Sequence, residues 1–112
     1  MRVLITLYPR MYREAIAHYL SQRRPGWEVR IAPPEDVEEE MRAFGPYLLV
    51  HNDTDGLDPG VLEGVPCWVE VLYSDSMDAK IWVEGRVEEA RDISTDELLR
   101  VADKAAARIR ET

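Results

Sequence analysis

The sequence predicts a doubly wound α/β sandwich, in which a mostly parallel sheet carries helices on both faces. Short apolar runs alternate with segments of helical periodicity through most of the 112 residues, and this alternation is typical of α/β folds. Residues 48–50 are apolar without interruption, which indicates a strand buried on both faces. Asn52 and Asp53 follow at its carboxyl end, where ligands bind in open α/β sheets. We therefore expect this strand to organise both the fold and the site.

Two strands and two helices are predicted before it. Residues 2–7 are rich in β-branched side chains and predict the first strand. A helix follows, with Pro9 in its first turn and a Pro-Gly stop after its end. Residues 27–32 alternate apolar and polar side chains, as expected of a strand at the sheet edge. Residues 35–44 predict an acidic second helix, whose early acids suit the helix dipole.

After the central strand the pattern changes to consecutive strands. Residues 67–73 predict a fourth strand, and Glu70 in its middle indicates that one of its faces is less deeply buried. Residues 80–84 and 86–92 predict a β-hairpin that turns at Gly85. This hairpin is the part of the chain that departs most from simple alternation of strands and helices.

The last helix is predicted to begin at Ser94 or Thr95, either of which suits its N-cap. Glu97 stands three residues after Ser94 and would close a capping box. An apolar stripe rich in alanine gives this helix a face that can pack closely on a sheet or on another helix. The stripe consists of Leu98, Leu99, Ala102, Ala105, Ala106 and Ile109.

Composition predicts one domain over residues 1–112 and excludes several classes of partner. A chain of this length buries roughly 65% of its unfolded surface, which is enough for one core. The net charge of −8 argues against nucleic acid, because phosphate binding needs a basic surface. No apolar run approaches the roughly 20 residues of a membrane helix, and residues 1–7 read as a strand rather than an export leader. Cys67 is the only cysteine, so we expect no disulfide and a cytoplasmic location.

Charge is distributed unevenly along the chain. Residues 1–30 hold six Arg against two Glu, whereas residues 31–112 hold eight basic and twenty acidic side chains. Two interpretations remain open. The asymmetry is either a chance feature of a solvated surface, or it marks a basic face of the first helix that docks an acidic face of another copy or partner.

Four stretches carry a resemblance to a known family. Residues 11–16 (MYREAI) and 25–29 (PGWEV) are similar to its first helix and second strand, and residues 45–50 (GPYLLV) fit its third strand. Residues 91–99 (RDISTDELL) are similar to the Lys-Asp-Ile-Ser-Pro-Glu-Glu-Leu-Leu segment with which its last helix begins. Together they resemble the receiver domains of bacterial response regulators, most closely those that precede LuxR-type DNA-binding domains. The likeness covers most of residues 1–58 and 91–110.

The resemblance implies a flavodoxin-like, receiver-like sheet with one rebuilt region. A receiver has a fourth helix and an apolar fifth strand before its last helix, and here a hairpin replaces both. The reason lies in Glu88 and Glu89, since burial of even one lone carboxylate in a two-sided core costs several kcal/mol. We therefore expect both glutamates near water at the sheet edge.

The resemblance also places the family's phosphorylation machinery on this sequence. The acidic pair that holds Mg²⁺ falls on Leu7 and Tyr8, neither of which offers a carboxylate. The phosphoacceptor Asp falls on Asn52, a poor nucleophile, and the side chain of Asp53 is expected on the opposite face of the strand. The Lys that pairs with the phosphoryl group falls on Arg91, which keeps the charge with a different geometry.

The acidic loop after the central strand leaves two interpretations open. Asp53, Asp55 and Asp58 are the residues of a weak Mg²⁺ or Ca²⁺ site, with Asp75 as a further ligand. The alternative is an Asx-rich turn whose side chains bond local backbone amides. We favour the turn and expect no cofactor. His51, beside this loop, is expected to be a packed or surface residue rather than a ligand or base.

These losses predict a degenerate, stand-alone receiver-like domain that acts without phosphorylation, as a non-enzymatic interaction module in two-component signalling of bacteria. We expect it to form a homodimer or to bind a protein partner, through the edge of the hairpin or through the last helix. The candidate interface residues are Trp82, Val83, Ala102 and Ala105.

Two other functions remain open at this stage. A divergent receiver would accept phosphate at Asp53 and later release it. A small-ligand sensor would bind at the carboxyl ends of the first, third and fourth strands, in a pocket lined by Tyr8, Asn52 and Ser74. Ser74, or Tyr73 if the register slips, is also the residue that matches the family's Thr/Ser switch.

Overall fold

The computed structural model describes residues 1–8, 10–52, 60, 64–71, 79–83, 86–91 and 94–110. The fold is α/β, as predicted: in these ranges one mixed sheet of six strands is accompanied by three α-helices and a short 3₁₀ turn. The strands are β1 Arg2–Ile5, β2 Glu28–Ile31, β3 Leu48–Asn52, β4 Cys67–Val71, β5 Ala79–Val83 and β6 Arg86–Ala90. The helices are α1 Arg10–Arg23, α2 Val37–Phe44, which follows the 3₁₀ turn Pro34–Asp36, and α3 Thr95–Arg110. None of the helices in these ranges is long and apolar enough to cross a membrane.

The sheet has the strand order β2-β1-β3-β4-β5-β6. β1 pairs in parallel with β2 and β3, and β3 pairs in parallel with β4, whereas β5 is antiparallel to both β4 and β6. The edge position predicted for the second strand is confirmed. The antiparallel pairing of the predicted hairpin is confirmed as well, with Val83 opposite Arg86, while its predicted turn at Gly85 lies outside the described residues. β6 forms the other edge, and its Glu88 and Glu89 are exposed, as the cost of burying them requires.

Some element boundaries differ from the prediction. The first strand was expected to reach residue 7, and β1 ends at Ile5. The chain nevertheless stays beside β3, because the Thr6 N–H donates a 2.9 Å hydrogen bond to the carbonyl of Val50. The predicted helix at residues 35–44 divides into the 3₁₀ turn and α2, with a proline at the start of the turn, where its missing N–H is not needed.

The larger core lies on the face of the sheet that α1 and α3 cover, called here the α3 face. It contains Cys67, which is buried. Side chains of alternate strand positions meet those of the two helices there. The buried residues of this core include Val3, Ile5, Val50, Val69 and Ile81 from the sheet, Ile16 and Leu20 from α1, and Leu98, Val101, Ala102 and Ala105 from α3.

A smaller core lies on the opposite face, called here the α2 face. It unites Leu4 and Leu49 of the sheet with Val37 and Phe44 of α2, together with Ala32 and Val65. Gly45 ends α2 in the left-handed region, with φ 62° and ψ 58°, and its N–H donates a 3.0 Å hydrogen bond to the carbonyl of Met41. A glycine is favoured at this position because it has no Cβ to clash.

The beginning of α3 settles which residue caps it. The backbone N–H of Glu97 donates a 3.2 Å hydrogen bond to Oγ of Ser94, so Ser94 is the N-cap and Thr95 is the first helical residue. α3 is connected to the end of α1 by Arg24, the residue directly after that helix, whose guanidinium donates two hydrogen bonds, of 2.9 and 2.6 Å, to the carboxylate of Asp103. This bidentate pair ties the two helices of the α3 face together.

Candidate functional site

The carboxyl ends of β1 and β3 meet at the edge of the sheet where the phosphorylation machinery was predicted. Of the two residues at the acidic-pair positions, Leu7 is buried at 1% exposure and Tyr8 is 58% exposed. Asn52, at the acceptor position, is buried at 2% exposure as the last residue of β3. The structure therefore brings these three residues together, with an apolar side chain rather than a carboxylate filling the interior corner.

The Asn52 side chain links two strands at this edge. Its Oδ1 accepts a 2.6 Å hydrogen bond from the backbone N–H of Tyr8, and its Nδ2 donates a longer one, 3.4 Å, to the carbonyl of Val71 at the end of β4. Oxygen and nitrogen of the amide are thus both used within the protein. Asn52, which the resemblance places at the acceptor position, therefore connects the segment after β1 with β4 through its side chain.

α1 holds the same corner from the other side. Nη1 of Arg13 donates a 3.2 Å hydrogen bond to the backbone carbonyl of Leu7. A small apolar cavity of about 100 Å³ lies next to it, and its described lining includes Leu7, Tyr12, Ile16 and Val71. The pocket predicted for a ligand sensor also needs Ser74, which lies outside the described residues, so that pocket stays a prediction.

Arg91 is exposed directly after the end of β6. β6 runs parallel to β3, so both strands end at the same edge of the sheet. However, β4 and β5 lie between them, and three strand spacings of ~4.8 Å put the two backbones roughly 14 Å apart. The structure consequently does not place Arg91 beside Asn52, because the antiparallel hairpin moves it outward by a strand.

The remaining predicted site residues lie outside the described residues. They are Asp53, Asp55, Asp58, Tyr73, Ser74 and Asp75. Within the ranges that the structure does describe, no three His, Cys, Asp or Glu side chains converge as metal ligands would.

His51 is buried in β3, on the α2 face, so the expectation of a packed histidine is confirmed. Its Nδ1 lies 3.0 Å from the carbonyl oxygen of Asn52, and its Nε2 lies 4.0 Å from Oε2 of Glu70 on β4. The ring also meets Trp68 edge-on, with centroids 6.1 Å apart. Glu70 is only partly buried, as predicted for the less covered side of the fourth strand.

The hairpin side of the sheet presents an aromatic pair that sequence reasoning did not foresee. Trp68 of β4 and Trp82 of β5 are directly opposite each other in the ladder. Their rings stack, with centroids 6.1 Å apart and planes inclined by 11°. The signal was present in the sequence, because antiparallel pairing of the fourth strand with the first arm of the hairpin brings the two tryptophans together. Val87 of β6 is the next residue in this row and is 61% exposed.

The candidate interface residues divide into two groups. Trp82 and Val83 are half-buried near the sheet edge and remain in reach of a partner. Ala102 and Ala105 are fully buried against the sheet in the protein's own core, so their assignment to an interface is wrong. Small side chains allow α3 to lie close on the sheet, and the stripe is used there rather than between copies.

A groove of about 370 Å³ lies between the hairpin and the second half of α3. Its described lining combines apolar residues such as Ile81 and Val101 with the charged Arg86, Glu88 and Lys104. The groove was not predicted, because it depends on how α3 lies against the hairpin. It shows that the exposed side of β6 is flanked by charges of both signs.

No family model matches this sequence, and neither a curated protein nor a solved structure matches it.

Proposed function

We propose that this protein is a receiver-like interaction module that acts without phosphorylation and without catalysis, as a homodimer or with another protein, in cytoplasmic two-component signalling of bacteria. The observation that carries this proposal is the hydrogen bond from the Tyr8 N–H to Oδ1 of Asn52. It uses, for structure, the side chain at the position where a receiver would accept phosphate. The scaffold is kept and the reactive group is replaced.

The strand order supports the fold part of this proposal. A flavodoxin-like sheet has the order 2-1-3-4-5 with helices on both faces, and this chain has β2-β1-β3-β4 in parallel, with α2 on one face and α1 and α3 on the other. The departure is the antiparallel hairpin at the far edge. Receiver-like architecture with a rebuilt edge accounts for both features.

Chemistry at the sheet edge supports the absence of phosphoryl transfer. Transfer to a carboxylate needs a divalent cation that neutralises charge on the phosphoryl group, and hard oxygen ligands that hold this cation. Leu7 fills the corner with a buried apolar side chain, and the positive charge of Arg91 is displaced by the hairpin. A receiver without these parts retains only its capacity to bind partners.

The open edge of β6 supports association as the remaining activity. An edge strand offers backbone N–H and C=O groups to another strand. The side chains of residues 86–89 are all exposed in β6. This is a surface on which a second chain can extend the sheet.

Incubation with acetyl phosphate and Mg²⁺, read by intact mass, tests the loss of phosphorylation. We expect no phosphoryl adduct under conditions that label a competent receiver in a parallel sample. An adduct that disappears in the Asp53→Asn variant would instead establish a divergent receiver that accepts phosphate at Asp53. Sedimentation equilibrium at micromolar concentrations tests the homodimer, and a monomer with no bound partner in cell extracts would contradict the interaction module.

A further inference from the structure

We propose that a second copy of this chain pairs with β6 in an antiparallel arrangement and in one register, with Val87 on the two-fold axis and Arg86 opposite the partner's Glu88. The two sheets then form one continuous sheet. This inference rests on the homodimer of the proposed function and adds to it the surface, the symmetry and the residues in contact.

β6 can pair in this way because it is the last strand of the sheet in the described part of the chain. It pairs on one side with β5, from Val83–Arg86 to Ala79–Ala90. Val87 of this strand is 61% exposed. An exposed β-branched residue in the middle of an edge strand is what a strand-pairing surface requires.

The direction of the backbone groups selects which residues of β6 can bond to a partner. Two residues connect the paired Val83 and Arg86, and the pair that flanks such a connection exchanges both of its hydrogen bonds. Residues then alternate along the ladder. The N–H and C=O of Arg86 and Glu88 point to β5, and those of Val87 and Glu89 point to the open edge.

Symmetry selects the register. In an antiparallel pair of identical strands related by a two-fold axis normal to the sheet, one residue lies opposite itself. With Arg86, Glu88 or Glu89 on the axis, two like charges would face each other, which is unfavourable. With Val87 on the axis, an apolar pair forms at the centre, and Arg86 of each copy lies opposite the partner's Glu88. The two-fold axis therefore produces two Arg86–Glu88 ion pairs, one on each side of Val87.

Both arguments agree on the same residue. Val87 directs its backbone groups outward, so on the axis it exchanges two hydrogen bonds with its own counterpart. Its side chain lies on the same face as Trp82, with which it pairs, and Trp82 stacks on Trp68. The contact between the two Val87 side chains would thus continue the row of Trp68, Trp82 and Val87 from one copy into the other. The two ion pairs would form on the opposite side of the sheet, the α3 face.

A charge exchange tests the register. Arg86→Glu alone puts two carboxylates opposite each other, and Glu88→Arg alone does the same with two guanidinium groups. Because each change affects two symmetric pairs, either should raise the dimer dissociation constant about tenfold. The double variant with Arg86→Glu and Glu88→Arg restores opposite charges and should recover the wild-type constant. Glu89→Arg is the matched control, because in this register the position opposite Glu89 carries no charge.

An engineered disulfide tests whether Val87 lies on the two-fold axis. Val87→Cys places two thiols on a hydrogen-bonded pair with a Cα separation of about 5.5 Å, which a disulfide can span. Mild oxidation should give a covalent dimer. Cys67 is buried and does not compete. Glu89→Cys is the control, since the two copies of that position would lie roughly 14 Å apart along the ladder and should not cross-link.

The outcomes separate this inference from the function on which it rests. A dimer that neither recovers in the double variant nor cross-links through position 87 overturns the register and leaves the homodimer standing. A wild-type chain that is monomeric overturns both the homodimer and this register. A chain that binds another protein through β6 in place of a second copy overturns the register and leaves the interaction module. Recovery together with cross-linking at position 87 alone supports it.

Discussion

The backbone N–H of Tyr8 and Oδ1 of Asn52 lie 2.6 Å apart and join residues that are 44 positions distant in the sequence. The same Asn52 side chain donates to the carbonyl of Val71. An amide is suited to this position because it offers an acceptor and a donor at once. A carboxylate at the same place would keep the acceptor, lose the donor and add a buried charge. The Asn52 amide is therefore a side chain that the fold needs at this position.

Asn52→Asp is accordingly expected to destabilise the protein and to leave it unable to accept phosphate. The loss of the donor to Val71, together with burial of a charged group at 2% exposure, should lower the free energy of unfolding by about 1–3 kcal/mol. Urea denaturation measures the change. Acetyl phosphate labelling read by intact mass should show no adduct, because the side chain of Leu7 still offers no oxygen to Mg²⁺.

Asn52→Ala serves as the comparison for this prediction. It removes both hydrogen bonds without adding charge. The loss of unfolding free energy in Asn52→Ala therefore measures the contribution of the two hydrogen bonds, and any additional loss in Asn52→Asp measures the cost of the buried carboxylate. An Asn52→Asp protein that is as stable as the wild type and becomes phosphorylated would show that the position remains competent, and the proposed function would then be wrong.

Much of the sheet could be predicted because a buried strand has a recognisable pattern of apolar residues in the sequence. The uninterrupted residues 48–50 predict a strand covered on both faces, and β3 is buried along its whole length. Glu88 and Glu89 predict an exposed edge for a similarly simple reason, the cost of burying a lone carboxylate. The Tyr8–Asn52 hydrogen bond could not be predicted in this way, since it joins a loop backbone to a side chain of a distant strand and has no local sequence pattern.

The alanine stripe of α3 shows a second limit of sequence reasoning. Small residues predict close approach of the helix to something, and either a sheet or another helix satisfies the pattern. Ala102 and Ala105 pack on the sheet, and only the fold decides this, through the length of α3 and the place of the hairpin beside it. A pattern of burial does not distinguish a core within one copy from an interface between two.

Thr6 allows a test of how much a buried hydroxyl without a described hydrogen-bond partner costs in stability. Its side chain is fully buried, and Oγ1 has no hydrogen-bond partner among the described residues. Thr6→Val keeps the shape and removes the unsatisfied hydroxyl, so it should stabilise the protein by about 1 kcal/mol in urea denaturation. Thr6→Ser keeps the hydroxyl and deletes a methyl group, and it should destabilise by a similar amount. Equal stability of the two variants would contradict this account of the site.

Gly45 and Gly26 form a matched pair for backbone conformation. Gly45 has φ +62°, and an added Cβ would meet only Nη1 of Arg2, at an ordinary 3.9 Å. Gly45→Ala should therefore cost about 1–2 kcal/mol for the left-handed backbone alone. A Cβ at Gly26 meets nothing within 4 Å, so Gly26→Ala should be neutral or stabilise by up to about 1 kcal/mol. Thermal and urea denaturation compare them, and equal effects at the two positions would refute the argument.

Tyr19 should make stability depend on pH in the alkaline range. Its hydroxyl donates to the carboxylate of Asp96 at the start of α3, and this hydrogen bond, reinforced by burial and by the negative charge of Asp96, raises the pKa of Tyr19 above its ordinary 10.0. A pKa raised by folding means that the bond stabilises the protein fully below pH 10.0, and that this contribution is lost as pH rises through the higher pKa of the folded state. Asp96→Asn should lower the pKa of the Tyr19 step in the tyrosinate absorbance. Tyr19→Phe should remove that step and leave the steps of the other four tyrosines. An unchanged titration in Asp96→Asn would show that the carboxylate does not hold the phenol.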